Sequence, residues 1–364
     1  MRYERPDRWR RLLKSAAAAA IYRGFTLSSA LRLPRHQALI IGYHRVVEDF
    51  AAAAETDMPT MLVSRPMFER HLECLGRHFH FVSLDEIGEH LAAGVPFQHP
   101  VAAITFDDGY RDVYENAYPT LRRKGIPAAI FVVTDLVGRT CWQMHDRLYH
   151  LLAKAYATWD DPLIELSRLL ADANLPVAET LPTSDEAGNP YSAASALLPL
   201  LSQAEAGRLV ECLRERVGRE IGDPPLSLTW PMIAEMQRAG ITMGSHTRTH
   251  AWLAMESAEK SEDEITGSKQ ELERRLGEPI LHFAYPGGQF APSIVETVAR
   301  AGYRFAYTAC DHHDPTYPAL TIERLLLWEG SSMDADGRFS PAILNCQAHG
   351  LWPPSRKCER VHAA

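Results

Sequence analysis

The chain has 364 residues, 46% hydrophobic and 23% charged, the balance of a soluble globular protein with room for a substantial core. A net charge of −8 with no long basic run argues against a nucleic-acid groove, and the aromatic residues are not interleaved with basic ones in an RNA-binding pattern. Six scattered cysteines (Cys74, Cys141, Cys212, Cys310, Cys346 and Cys358) form no CxxC pair and read as reduced thiols rather than a disulfide framework.

Residues 1–36 form a basic arm. Arg2, Arg5, Arg8, Arg10, Arg11 and Lys14 precede the alanines Ala16 to Ala20, and Arg23 ends the apolar part. Charge followed by apolar residues is the order of a signal peptide, but this apolar part is short. A basic helix on an anionic membrane surface and a plain exposed helix are the competing readings. No segment has the apolar length of a spanning helix.

The first strand is expected at Ala38 to Tyr43, ending at His44-Arg45, and the alanine-rich stretch through Met61 reads as a loop. Pro66 suits the first turn of a helix carrying Phe68, Leu72 and Leu75. A short strand at Phe79 to Val82 and a helix from Leu84 to Ala93, stopped by Gly94, follow. The run Val101 to Phe106 reads as a buried strand ending in Asp107-Asp108-Gly109. A helix to Lys124, closed by Gly125 and Pro127, leads into a further buried strand from Ala128 to Val133. Such alternation predicts parallel pairing with right-handed crossovers.

From about 141 to 228 the pattern becomes helical (Leu148 to Tyr156, Leu163 to Leu170, Ala204 to Val217), with breaks at Pro182 and at Gly222 to Pro225. It reads as a helical insertion without a core of its own, lying over one side of the site. Alternation resumes with a helix from Pro231 to Ala239 and a strand from Ile241 to Gly244. A long helix from Ser257 to Leu276, a strand from His282 to Tyr285 and a helix from Ser293 to Ala301 come next. A strand from Phe305 to Thr308, another at Leu325 to Leu327, a helix from Ser340 to His349 and a loose tail over 351–364 complete the chain. About seven strands, most followed by a helix, point to an α/β fold, a parallel barrel over 37–350.

The chemistry concentrates at strand ends. Asp107 and Asp108 repel each other unless a cation or a shared proton relieves them, though Asp-Asp-Gly is also ordinary turn chemistry. His246 and His250 are four apart; on a helical turn both imidazoles reach one ion. A His, His, Asp set suits zinc and leaves a tetrahedral ion one open position. One aspartate then holds the metal, and the other is free to act as general base.

Thr105 to Gly109 (Thr-Phe-Asp-Asp-Gly), His246 to His250 (His-Thr-x-x-His) and Phe283 to Gly288 (Phe-Ala-Tyr-Pro-Gly-Gly) resemble, in order and spacing, the first three motifs of the polysaccharide deacetylases (the NodB-homology domain, carbohydrate esterase family 4). The resemblance spans roughly Leu39 to Leu327 and implies a distorted (β/α)7 barrel. It implies Asp107 as catalytic base and Asp108, His246 and His250 as ligands of a divalent metal, Zn2+ first. Gly287 would lend a backbone N–H to the oxyanion, and Tyr285 and Pro286 are candidates for substrate contact. Many relatives carry an Arg where Ala284 stands; Arg324 is the candidate to supply that charge from elsewhere. A C-terminal Leu-x-His motif is missing. His44, in Gly42-Tyr43-His44-Arg45, resembles the early His of the branch acting on poly-N-acetylglucosamine-type exopolysaccharides and is the preferred general acid.

The expected activity is metal-dependent removal of acetyl from N-acetylhexosamine units of a polysaccharide, a lipid-linked glycan or a precursor in envelope or exopolysaccharide synthesis. An O-acetyl esterase or another amide hydrolase on the same metal site is the second reading, and a catalytically dead glycan-binding protein the third. The expected partner is the N-acetylated glycan, not nucleic acid, with peripheral membrane contact through the basic arm. The expected location is cytoplasmic, either free or against a membrane, with export left open as the alternative. Oligomeric state has no signal in the sequence.

Overall fold

The computed structural model describes residues 15–22, 38–175, 188–219 and 222–351; most of the basic arm and the tail from 352 lie outside them. The strands are β1 (Ala38–Tyr43), β2 (Arg45–Val47), β3 (Leu62–Ser64), β4 (His80–Phe81), β5 (Val101–Phe106), β6 (Ala128–Val132), β7 (Thr242–Ser245), β8 (His282–Ala284), β9 (Phe305–Thr308), β10 (Ile322–Glu323) and β11 (Leu325–Leu326). Eight of them form one parallel wall in the order β10-β9-β8-β7-β6-β5-β1-β11, with β4 paired beside β5. Every residue of β5 and β6 is buried, as expected of parallel strands covered on both faces.

The barrel is nearly closed by one short segment. β10 pairs with β9 through Ile322↔Tyr307 and Glu323↔Thr308. β11 pairs with β1 through Ile41↔Leu325 and Gly42↔Leu326. Only Arg324 separates the two, so they are halves of one stave that changes partners at that residue. Counted so, the barrel has the expected seven staves.

Period-two alternation sorts the strand residues. Ile40, Ala103, Phe131, Ala284 and Tyr307 cluster in the barrel interior. Their neighbours Ile41, Ile104, Val132, Phe283 and Ala306 pack outward with helix residues such as Phe68, Leu121 and Val295. The same parity carried past the strand ends aims His44, Asp107, His246 and Arg324 inward at the C-terminal mouth.

Local signals explain the helices. Ser64 accepts a hydrogen bond from the Met67 N–H and opens Arg65–Leu75. Gly94 and Gly125, both left-handed, stop Leu84–Ala93 and Tyr118–Lys124. Two helices contain a five-residue π turn, Val113–Ala117 and Asp263–Gly267.

Three expectations change. The stretch read as a loop through Met61 contains β2 and a short helix, Phe50–Ala53, and leads directly into β3. The two strands form because Arg45 is held by Asp112 (2.7 Å) and Asp57 (2.9 Å), contacts remote in sequence. The insertion has a core of its own: helices Met144–Thr158, Pro162–Asp172, Pro190–Leu197 and Gln203–Val217 enclose a separate cluster including Leu151, Leu166, Leu197 and Leu209. In the basic arm, Ser15 to Tyr22 is helical and turns Ala18 against Ile343 and Cys346. Among the described residues no helix is long and apolar enough to cross a membrane.

His71 bolts the outer shell to β1. It is fully buried, with Nδ1 3.2 Å from the Tyr43 hydroxyl and Nε2 2.7 Å from Ser332 Oγ. Burial pushes its imidazole down to about 3. Below pH 6.5 the unfolded chain takes a proton there that the native state refuses, so stability falls as pH drops from 6.5 towards 3, by up to about 1.4 kcal/mol per pH unit. His71→Gln is expected to lower Tm at pH 7.5 but to flatten the decline of Tm between pH 6.5 and 4.5. Thermal melts across that range check this, and an unchanged slope contradicts it.

Candidate active site

Four loops at the mouth meet. Asp107 follows β5, and its N–H donates to the Tyr43 carbonyl (2.9 Å), continuing the β1–β5 ladder. Its carboxylate lies in the fork of Arg324: Nη1 donates to Oδ1 and Nη2 to Oδ2, each at 2.7 Å. Both residues are buried, and the guanidinium also reaches Thr105 Oγ1 (3.2 Å) and covers the Phe131 ring. Burial alone would raise the Asp107 carboxyl. The charge of Arg324 and its hydrogen bonds outweigh it and hold the group at about 2, so Asp107 is an oriented carboxylate at neutral pH.

Asp108 has the opposite environment. It is 1% exposed, and neither carboxylate oxygen has a hydrogen-bond partner. Burial first, then the neighbouring charges of Asp107 and Asp146, push its carboxyl well above the ordinary range. His246 Nε2 lies 3.5 Å from Asp108 Oδ1 and His250 Nε2 3.3 Å. His246 donates from Nδ1 to the Ala284 carbonyl (2.8 Å), which leaves the Nε2 lone pair turned to the carboxylate. Burial lowers both imidazoles, so they are neutral ligand donors. One ligand atom from each of the three residues lies within 4.8 Å of the others. An orphaned buried carboxylate faced by two neutral imidazoles fits a divalent cation in size, charge and donor type.

The two histidines do not share a helical turn, as their spacing suggested. Residues 246–250 are a loop in which Thr247 (φ 68°) and His250 (φ 62°) are left-handed. Asp108 (φ 70°) is too, so three of the four non-glycine residues with positive φ among those described are here. Such backbone costs about 1–3 kcal/mol per residue and persists only where its surroundings impose it.

His44 comes directly after β1, whose last pair with β5 is Tyr43↔Phe106, so it stands beside Asp107. Burial pulls its imidazole down to about 4, Asp107 opposing this and Arg324 adding to it. Gly287 sits in the Pro286–Gly288 turn with φ 62°. A Cβ there would lie 1.9 Å from the Trp252 ring, so only glycine admits this approach. Tyr285 is not placed for substrate contact: its ring is fully buried in the core and its hydroxyl donates to the Leu320 carbonyl (3.0 Å). Pro286 is buried as well.

Sequence reasoning missed what the insertion contributes. The Tyr110 hydroxyl donates to Asp146 Oδ2 (2.7 Å) and lies 2.8 Å from His145 Nε2. Gln143 donates to the Asp108 carbonyl (3.3 Å), and the His145 ring centre is 4.8 Å from that of His250. The far end of the insertion bridges back, Tyr110 to Ser227. The only sequence signal was the polar run Gln143-Met144-His145-Asp146 in a helix otherwise rich in leucine.

Fold and site together define a parallel barrel with a locked carboxylate beside a candidate cation centre. The polysaccharide deacetylase family model matches residues 94–161 and 187–306, just over half of the chain; the chain belongs to that family. Its fold is similar to Streptococcus pyogenes deacetylase PplD in complex with acetate (TM-score 0.54, 18% identity, 86% of this chain and 99% of that one). It is also similar to IcaB from Ammonifex degensii (TM-score 0.52, 18% identity, 86% and 97%). A poly-beta-1,6-N-acetyl-D-glucosamine N-deacetylase of Staphylococcus aureus is 31% identical over 116 residues, covering 30% of this chain and 40% of the relative. That of Staphylococcus epidermidis is 29% identical over 118 residues, with the same coverage.

The contact between Gly287 and Trp252 is testable. Gly287→Ala is expected to destabilise by about 1–3 kcal/mol, from strained φ and overpacking. Trp252→Ala in the same chain should recover the overpacking part, so the two losses of Tm are not additive. Additive losses in thermal melts would show that the ring does not limit position 287.

Proposed function

We propose that this protein is a cation-dependent hydrolase that removes acetyl groups from N-acetylhexosamine units of a glycan, releasing acetate and leaving a free amine. The observation that carries the reading is the division of labour between adjacent carboxylates: Asp107 locked by Arg324, Asp108 orphaned before His246 and His250. Family membership supports the reaction type. The names of the staphylococcal relatives support poly-N-acetylglucosamine as the substrate class.

Asp108, His246 and His250 would hold the cation, and their mixed imidazole and carboxylate set suits Zn2+. When bound, such an ion supplies a Lewis acid for the acetamide carbonyl and makes water a competent nucleophile near neutral pH. Asp107 is placed to take the proton from the attacking water. Its merit is position and permanent charge, since Arg324 weakens it as a base. His44, beside Asp107, is placed to return a proton to the departing nitrogen. Burial keeps His44 neutral, so it must receive that proton within the site. Gly287 is the donor we assign to the oxyanion, with the Trp252 ring walling that side. A dead glycan-binding module has no use for this assembled set.

Acetate and primary amine released from N-acetylglucosamine oligomers test the proposal. Asp107→Asn and His44→Ala should each lower kcat about 10²–10⁴-fold. Complete chelation should abolish turnover, and Zn2+ should restore it. Full activity in Asp107→Asn, or after metal removal, overturns the mechanism; acetate without amine identifies an esterase. Arg324→Lys keeps the charge but loses the fork; it should cut kcat at least about tenfold with little change in KM. Wild-type kcat in that variant would show that orientation of Asp107 is not needed.

A further inference from the structure

The loop bearing His246 and His250 has no regular structure, yet each of its N–H groups has a partner. His246 N–H donates to the Val132 carbonyl (3.0 Å), Thr247 N–H to Ser245 Oγ (3.3 Å) and His250 N–H to Thr247 Oγ1 (3.0 Å). The two between, of Arg248 and Thr249, both donate to a single oxygen, Glu264 Oε2, at 2.8 Å each. Glu264 Oε1 accepts from Thr249 Oγ1 (2.7 Å) and pairs with Lys260 (2.8 Å). Glu264 is fully buried, and it sits in the π turn Asp263–Gly267, the kind of helix irregularity that often marks functional sites. Successive N–H groups converging on one anion form a nest, which requires left-handed backbone beside it; Thr247 and His250 supply that at either end.

We infer that Glu264 is a positioning residue for the cation centre: its carboxylate fills the nest between His246 and His250 and fixes the strained loop in the shape that aims both imidazoles at Asp108. Without it, two partly buried N–H groups lose their acceptor, and the left-handed residues relax. From the opposite side, Gln203 Nε2 of the insertion holds the Thr249 carbonyl (2.8 Å), so the loop is gripped between the barrel helix and the insertion. Glu264 is not one of the three candidate ligands, and its partners are Arg248, Thr249 and Lys260. The inference rests on Asp108, His246 and His250 holding a cation.

The test is Zn2+ affinity of the full chain, measured by competition with a chromophoric chelator, beside thermal melts of the metal-free protein. Glu264→Gln keeps the volume but turns one acceptor into a donor. It should weaken Zn2+ binding about ten- to hundredfold, with activity recovering at saturating Zn2+. Thr249→Val removes one bond to the carboxylate and should weaken binding less, providing the measurement if Glu264→Gln does not fold. A folded variant with a lower metal-free Tm and wild-type Zn2+ affinity would make Glu264 merely structural and overturn the inference. If wild type itself binds no Zn2+, the cation reading fails first, and this inference with it.

Discussion

Much of this structure depends on one buried ion pair. Arg324 and Asp107 are both out of water, and two charges taken from solvent are repaid only by good geometry and full hydrogen bonding. The fork meets both carboxylate oxygens, and a third contact goes to Thr105. The same arginine occupies the point where the closing stave changes its partner from β9 to β1. Barrel closure and carboxylate orientation are therefore one event. A chain that failed to bring Ile322 to Leu326 across the gap would lose both.

Around this pair the site is built from contrasts between neighbours. Asp107 has every acceptor satisfied and stays ionised; Asp108, one residue on, has none satisfied and is held near two neutral imidazoles. Among the described residues, backbone strain is concentrated at the same place, at Asp108, Thr247 and His250. The insertion, with its own core, reaches in through Gln143, His145, Asp146 and Gln203. It is a wall of the site and a brace for two of its loops.

Much of the fold was legible because its signals are local. Long apolar runs marked β1, β5 and β6, and Ser64, Gly94 and Gly125 marked helix ends. What escaped depends on distant partners. β2 and β3 flank an alanine-rich stretch and form around Arg45, Asp57 and Asp112. β10 is two residues long, too short for any period. The spacing of His246 and His250 suggested a helical face, whereas a carboxylate fourteen residues beyond His250 shapes the loop. Tyr285 stood inside a motif, but its hydroxyl is committed to the Leu320 carbonyl. Arg324 stood in the sequence as the candidate for the charge missing at Ala284, and the two-pronged bond it makes to Asp107 follows from closure of the barrel.

The two π turns carry a consequence for how this fold tolerates change in length. Each is a place where a helix holds one residue more than an α turn needs. Asn116 in the first donates to the Val46 carbonyl (2.7 Å), close to His44, and Glu264 in the second holds the histidine loop. Deleting one residue from either helix would give a more regular helix and a better local hydrogen-bond ladder. It would also turn everything on one side of the deletion by about 100°, carrying the amide or the carboxylate away from the loop it supports. Helix length is thus constrained at these two points by the mouth of the barrel, although neither helix contributes a residue to the reaction.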